Sequence, residues 1–134
     1  MQKYGILNAQ IRSLLARSGH RDRIALTDAG FNNPLGVETV DMAFLPNIPT
    51  ILQVLDGVLA EFSIEKVILA EEIKTMAPEL LEEYQKRFPK TPIEFIPHSE
   101  FDELMPKVKG IIRTGQYGLH APNMILQAGC TYDE

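Results

Sequence analysis

The stretch "IPTILQVLDGVLAEFSIEKVILA", residues 48–70, decides the fold. Its first part, residues 48–62, predicts a helix with Pro49 in its first turn, because proline is favoured at that position. The apolar residues of this helix cover several of its faces, which indicates a largely buried helix. The segment "EKVILA" (65–70) then predicts a strand that is apolar on both sides, as in a parallel sheet covered on both faces. A buried helix followed by such a strand is typical of an α/β fold.

The same alternation of helices and strands continues on both sides of this stretch. Further helices are predicted from the Asn8 cap to Ser18, over 77–88, and over "EFDELMPKV" (100–108), which Ser99 caps and Pro106 strains. Further strands are predicted at 23–27, 38–44, 93–97, 110–115 and 124–129. We therefore expect a three-layer α/β/α fold with a mostly parallel, mixed six-stranded sheet.

The sheet is expected to be mixed because of its last two predicted strands. Only "QYGLHAPN" (116–123) separates them, which leaves little room for the crossover helix that a parallel connection needs. This short spacing favours an antiparallel arrangement of that pair.

Length, charge and composition limit the classes of function. The chain has 134 residues and reads as a single domain over 1–134, and 45% of its residues are hydrophobic. The net charge is -5 with Lys and Arg scattered, which argues against a nucleic-acid partner. No apolar run is long enough for a membrane span, and the first residues lack the apolar core of a signal peptide. The single cysteine, Cys130, fits a reducing cytoplasm.

Polar side chains follow several predicted strands at the point where each strand ends. In open parallel sheets, ligands bind beyond the carboxyl ends of the strands. This rule selects Asp28, the "EEIK" segment (71–74), His98 and the loop that contains His120 and Asn123. Taken alone, each has a structural explanation, such as a turn, a cap or a solvated helix start. Their convergence on one edge is what favours a binding site.

His20 does not obey this rule, because it precedes the first strand while Asp28 follows it. The strand between them is about five residues long, or roughly 15–17 Å at the usual rise. Both side chains therefore cannot touch one small ligand within a single extended chain. His20 is a structural loop residue, or a second copy of the chain brings it to Asp28, or the turn folds over the sheet. The sequence leaves these three alternatives open.

The common catalytic motifs are absent. The sequence has no GxGxxG, GxxxxGK[ST], HExxH or GxSxG pattern, and its one cysteine has no adjacent histidine. A divalent-metal set of His20, His98, Asp28 and Glu71 remains a minority interpretation, since no pair has a spacing typical of metal ligands.

With these residues considered, the chain resembles the D-ribose pyranase and L-fucose mutarotase family, and it is closer to the ribose branch. The resemblance covers nearly the whole chain, and its specificity comes from the order and spacing of several segments together. These segments are "GILN" (5–8), "GHRDRIALTDAG" (19–30), "VDMAF" (40–44), "QVLDGVLAEFSIEKVILAEEIK" (53–74), "IPHSEF" (96–101), "RTG" (113–115) and "NMILQAG" (123–129).

The resemblance implies an enzyme without a cofactor that interconverts the ring forms of a free monosaccharide, most closely D-ribose. It also implies a ring-shaped homo-oligomer of eight or ten copies with active sites at subunit interfaces. In the family pattern His20 is the catalytic acid/base, and Asp28 and His98 bind the sugar. The family's Tyr-Ala-Asn sugar contact corresponds here to "HAPN" (120–123), which is one residue longer. Asn123 keeps its place, and His120 or Tyr117 stands where the tyrosine is missing.

Acid/base chemistry at one histidine suits such a reaction. Opening a hemiacetal ring takes one proton from the anomeric hydroxyl and gives one to the ring oxygen, and an unperturbed imidazole titrates near neutrality. Two alternatives stay open, namely a sugar-binding oligomeric module without catalysis and a fucose-type mutarotase. A metal-dependent sugar isomerase is a third hypothesis.

Overall fold

A computed structural model describes residues 1–134, with the exception of the Asp133 side chain. Its helices are α1 (Ala9–Ala16), α2 (Ile51–Leu59), α3 (Ile73–Met76), α4 (Pro78–Arg87) and α5 (His98–Leu104). Its strands are β1 (Arg23–Thr27), β2 (Glu38–Asp41), β3 (Ile64–Ala70), β4 (Ile93–Ile96), β5 (Gly110–Arg113) and β6 (Met124–Ala128). Short 3₁₀ turns follow α5 and β6, at Met105–Lys107 and Thr131–Asp133. Among the described residues, no helix has the length and apolar character that crossing a membrane requires.

The six strands form one mixed sheet in the order β2-β5-β1-β6-β3-β4. Strand β6 is antiparallel to both of its neighbours, β1 and β3, while every other pairing is parallel. The predicted mixed, mostly parallel sheet is therefore confirmed. The last two strands run in opposite directions, as expected, but they are not neighbours in the sheet, because β1 lies between β5 and β6. The connecting loop is long enough to cross the end of one strand, since neighbouring strands lie only about 4.8 Å apart.

Two apolar cores lie on opposite faces of this sheet and produce the three layers. Alternate residues of β1 separate between them: Ile24 and Leu26 belong to the core under α1, α2 and α4, and Ala25 belongs to the core under α5. This separation follows from the two-residue period of a strand. Phe101 of α5 is fully buried at the centre of the second core. The predicted three-layer α/β/α fold is confirmed.

Several predicted boundaries differ from the structure for local reasons. Helix α2 begins after Thr50, whose hydroxyl accepts a hydrogen bond from the backbone N–H of Gln53 while the Gln53 side chain accepts one from the Thr50 N–H. This capping box displaces Pro49 to the residue before the cap. Ser99 is not a cap, because α5 begins at His98, directly after the extended Pro97. Helix α3 was not predicted, and its single turn is too short to show a period.

Two glycines give opposite expected responses to alanine. At Gly115 an added Cβ would meet the backbone of Ile48, 2.7 Å from its carbonyl carbon, and we expect a loss of about 1–3 kcal/mol of unfolding free energy. Gly57 lies within α2, and its added Cβ would be 3.8 Å from Ile6 Cγ1, an ordinary contact. Gly57→Ala should therefore stabilise the chain by roughly 0.5–1 kcal/mol. Urea unfolding of both variants measures the contrast, and equal stability of Gly115→Ala and the parent would contradict the backbone contact.

Candidate active site

One edge of the sheet gathers the polar loop residues around a cavity. The carboxyl ends of the parallel strands meet the amino end of β6 at this edge, because β6 runs in the opposite direction. The cavity has a volume of about 870 Å³, and we call it the strand-end cavity. Four of the predicted site residues line it together: Asp28, His98, His120 and Asn123. Tyr117 lines it as well.

Asn123 connects the two loops at the centre of this cavity. Its side-chain oxygen accepts a 2.7 Å hydrogen bond from the backbone N–H of Asp28, and the residue is only 6% exposed. The preceding residue is also held, because the hydroxyl of Tyr84 on α4 donates a 2.6 Å hydrogen bond to the carbonyl of Pro122. Tyr84 is fully buried, and burial raises the pKa of its hydroxyl, which therefore remains a donor. These contacts fix the position of "HAPN" against β1.

Asp28 is the half-buried carboxylate of the cavity. Its Oδ1 atom is buried and has no hydrogen-bond partner among the described residues. Burial raises the pKa of Asp28, although the backbone N–H groups of Phe31 and Gly30 and the charges of His120 and Arg113 act in the opposite direction. A buried acceptor without a partner is costly, and a sugar hydroxyl is a donor that would satisfy it.

The ring of His98 is oriented by its own helix. Its Nδ1 lies 3.3 Å from the carboxylate of Asp102, one helical turn later, and the ring stacks on Phe101 with centroids 6.3 Å apart. The backbone N–H of His98 donates to both carboxylate oxygens of Glu72, at 3.2 and 3.1 Å. The Asp102 contact engages Nδ1 and leaves Nε2 as the ring nitrogen available for a ligand.

Arg113 holds the loop after β1 in place. Its guanidinium donates to the carbonyl of Ala29 from Nε and Nη2, at 3.2 and 2.9 Å, and to both carboxylate oxygens of Asp41 at 3.0 Å. Parallel pairing places Asp41 and Arg113 side by side on β2 and β5. Arg113 and Asp102 were not predicted as site residues, although a charged residue at a strand end and a His-x-x-x-Asp spacing on a helix are visible in the sequence.

The glutamates of the "EEIK" segment are outside the cavity lining. Glu71 forms an exposed ion pair with Lys74 at 2.8 Å, as expected of a solvated helix start. Glu72 acts on the cavity only through the backbone of His98. Within the part of the chain that the structure describes, no group of three His, Cys, Asp or Glu side chains is placed to hold a metal ion.

His20 lies at the opposite, amino edge of the sheet. It lines a second hollow of about 250 Å³, which we call the amino-edge hollow, together with Cys130 and Tyr132. Its Nε2 lies 2.9 Å from a carboxylate oxygen of Glu65 on β3. The separation from Asp28 is the one that its position before β1 predicts, and the turn does not fold over the sheet. The second-copy and structural-loop alternatives for His20 therefore remain.

Removing the Asn123 side chain should loosen the cavity. Asn123→Ala leaves the backbone N–H of Asp28 without its acceptor, which is expected to cost about 1–3 kcal/mol of unfolding free energy. Asn32→Ala is the matched control, since Asn32 is an exposed asparagine of the same cavity. Chemical denaturation measures both variants. Equal losses in the two would show that the Asn123 bond does not stabilise the fold.

Comparison of the sequence with known proteins finds full-length relatives. The model of the RbsD / FucU transport protein family matches residues 1–131. A D-ribose pyranase of Limosilactobacillus fermentum is 39% identical over 98% of this chain and 100% of its own length. A D-ribose pyranase of Geobacillus thermodenitrificans is 40% identical over 98% and 99%.

Comparison of the fold with solved structures gives the same relationship. A structure of Bacillus subtilis RbsD complexed with D-ribose superposes with a TM-score of 0.92 at 38% identity, over 97% of this chain and 98% of the other. A fucose mutarotase of Streptococcus pneumoniae in complex with L-fucose has a TM-score of 0.80 at 19% identity, over 93% and 94%, and so shares the fold. The predicted family, with its greater closeness to the ribose branch, is confirmed. On its sequence and its fold, the chain belongs to the RbsD / FucU family.

Proposed function

We propose that this protein interconverts the pyranose and furanose forms, and the anomers, of free D-ribose by acid/base catalysis without a cofactor. The full-length D-ribose pyranase relatives support this reaction class. The observation that carries the proposal is the unpartnered carboxylate oxygen of Asp28, within a cavity that Asn123, His98 and His120 also line. A monosaccharide presents several hydroxyl groups, and the cavity offers both acceptors and donors for them.

The reaction needs two proton transfers and no redox step. A base removes the proton of the anomeric hydroxyl while the bond between C1 and the ring oxygen breaks, and the electron pair of that bond goes to the ring oxygen, which takes up a proton. The open aldehyde closes again on the other face or through the C4 hydroxyl, which gives the furanose. Asp28 and Asn123 orient hydroxyl groups at hydrogen-bond distance, and His98 presents Nε2. Holding these groups in place supplies much of the rate enhancement.

A second copy of the chain supplies the catalytic imidazole in this proposal. His20 and Asp28 of one chain lie at opposite edges of the sheet, so one sugar cannot touch both. A ring-shaped homo-oligomer of eight or ten copies, located in the cytoplasm, would place the His20 of one subunit at the strand-end cavity of the next. Tyr117 and Leu119 are large apolar side chains that are exposed in the cavity lining, and both are suited to burial between subunits.

Saturation-transfer NMR on D-ribose tests this function. The protein should accelerate exchange between the pyranose and furanose signals in a buffer that contains a chelator. Binding of ribose with no change in the exchange rate would instead support a sugar-binding module. Faster exchange of L-fucose anomers than of ribose forms would support a fucose-type mutarotase. Loss of activity in chelator would support a metal-dependent isomerase.

A further inference from the structure

A chain of side-chain hydrogen bonds leads across the amino edge of the sheet to His20. Arg23 Nε donates to Gln127 Oε1 at 3.0 Å, and Gln127 Nε2 donates to Glu65 Oε1 at 2.8 Å. The other carboxylate oxygen of Glu65, Oε2, lies 2.9 Å from His20 Nε2. Each carboxylate oxygen of Glu65 thus has one partner: Gln127 contacts Oε1, and the His20 imidazole contacts Oε2.

The sheet places Glu65 at an irregular position. Strands β3 and β6 pair Ile64 with Ala128 and Lys66 with Gln127, so the register shifts at Glu65. Such a bulge changes the direction of a side chain, and bulges are frequent next to active sites. Regular pairing on the other side of β6 places Arg23 opposite Gln127. The bulge therefore brings the Glu65 carboxylate within reach of both Gln127 and His20.

We propose that Glu65 is the positioning residue of the His20 imidazole, and that Gln127 orients Glu65. An ionised carboxylate is only an acceptor, so the ring nitrogen that it contacts must carry the proton. In the neutral ring this places the proton on Nε2 and leaves the lone pair of Nδ1 free. His20 thereby presents Nδ1 as the base and acid that works on the sugar. This inference rests on the proposed function.

The charges around the pair agree with an ionised Glu65. Its hydrogen bonds from Gln127 and His20 lower the pKa of Glu65, and the charge of Arg21 acts in the same direction. Asp22 lies in the same turn as His20, but its carboxylate accepts from the backbone N–H of Gly19 and from Lys109. Besides His20, the titratable residues that line the amino-edge hollow are Glu61, Cys130 and Tyr132. Glu65 is the carboxylate that contacts the ring.

The test is Glu65→Gln, followed by the imidazole ¹⁵N shifts of His20 and by ribose exchange. The parent should show neutral His20 protonated on Nε2. In the variant we expect a mixture of the two neutral tautomers of His20, because an amide can donate as well as accept. Exchange should slow about 10- to 100-fold with little change in the KM for ribose, since Glu65 lies outside the strand-end cavity. Glu94→Gln is the matched control, because it removes an equal charge from the neighbouring β4, where Glu94 pairs with Lys66 at 2.5 Å.

An unchanged tautomer of His20 in Glu65→Gln would overturn the inference, even if exchange slowed. An unchanged exchange rate in an active protein would also overturn it. If the parent failed to accelerate ribose exchange, the proposed function would fail by itself. The tautomer of His20 would then still decide whether Glu65 orients the ring.

Discussion

Replacing His20 by alanine is expected to slow ribose ring exchange by roughly 10²–10⁴-fold, the usual contribution of a general acid/base. Ribose binding should persist, because Asp28, His98, His120 and Asn123 line a cavity that the variant leaves unchanged. Saturation-transfer NMR gives the rate and a ribose titration gives the affinity. Normal exchange in the variant would remove His20 from the mechanism and support its role as a structural loop residue.

Mixing two impaired variants extends this experiment to the question of which copy supplies which residue. If each active site combines His20 of one subunit with Asp28 of another, mixed oligomers of His20→Ala and Asp28→Asn contain some sites in which both residues are intact. Exchange should then return partially after the two variants are dissociated and reassembled together. Each variant reassembled alone is the control. No recovery in mixed oligomers would contradict a shared site.

Asp28→Asn is expected to weaken ribose binding and to raise the stability of the fold. A hydrogen bond to a charged acceptor contributes about 1.5–3 kcal/mol, so its loss should weaken binding by roughly 10- to 100-fold. The increase in stability follows from burial, which raises the pKa of Asp28 in the folded chain above 3.8. Ionisation of this group therefore favours the unfolded state. Isothermal titration measures the affinity, and urea unfolding measures the stability.

The pH dependence of that stability difference identifies its cause. Below the ordinary pKa of 3.8 the carboxyl is protonated in both states, so Asp28→Asn and the parent should be equally stable. As the pH rises through the raised pKa of the folded state, the parent loses this contribution and the asparagine variant does not. The difference should therefore grow between acidic and neutral pH and then stay constant. A difference that is the same at about pH 3 and at pH 7 would assign the effect to packing.

The strand pattern predicted the layers of this fold better than it predicted the neighbours in the sheet. Continuous apolar runs such as "EKVILA" identify buried strands, because a covered sheet needs apolar side chains on both faces. The same runs contain no information on which strand lies beside which. The insertion of β1 between β5 and β6 depends on contacts far apart in sequence. The direction of β6 was predictable from the short loop before it, but its partners were not.

The candidate site was predictable where the strand-end rule applies. Asp28, His98, His120 and Asn123 line one cavity because the loops that carry them meet at one edge. Residues that act through others were not found, since their role depends on geometry. Tyr84 reaches the "HAPN" loop from α4, 38 positions earlier in sequence, and Glu65 reaches His20 through a bulge. The catalytic and binding roles of the site residues stay predictions until the variants are measured.

The reversed direction of β6 has a consequence for how this protein can diversify. Asn123 lies directly before this strand, at the strand-end cavity, and Gln127 lies near the other end of the strand, at the amino edge of the sheet. A register shift of β6 by one residue would turn each of its side chains to the wrong face of the sheet. A residue added to the preceding loop is accommodated by the loop and requires no such shift of the strand. The loop at the strand-end cavity can therefore change in length while the contact between Gln127 and Glu65 stays in place.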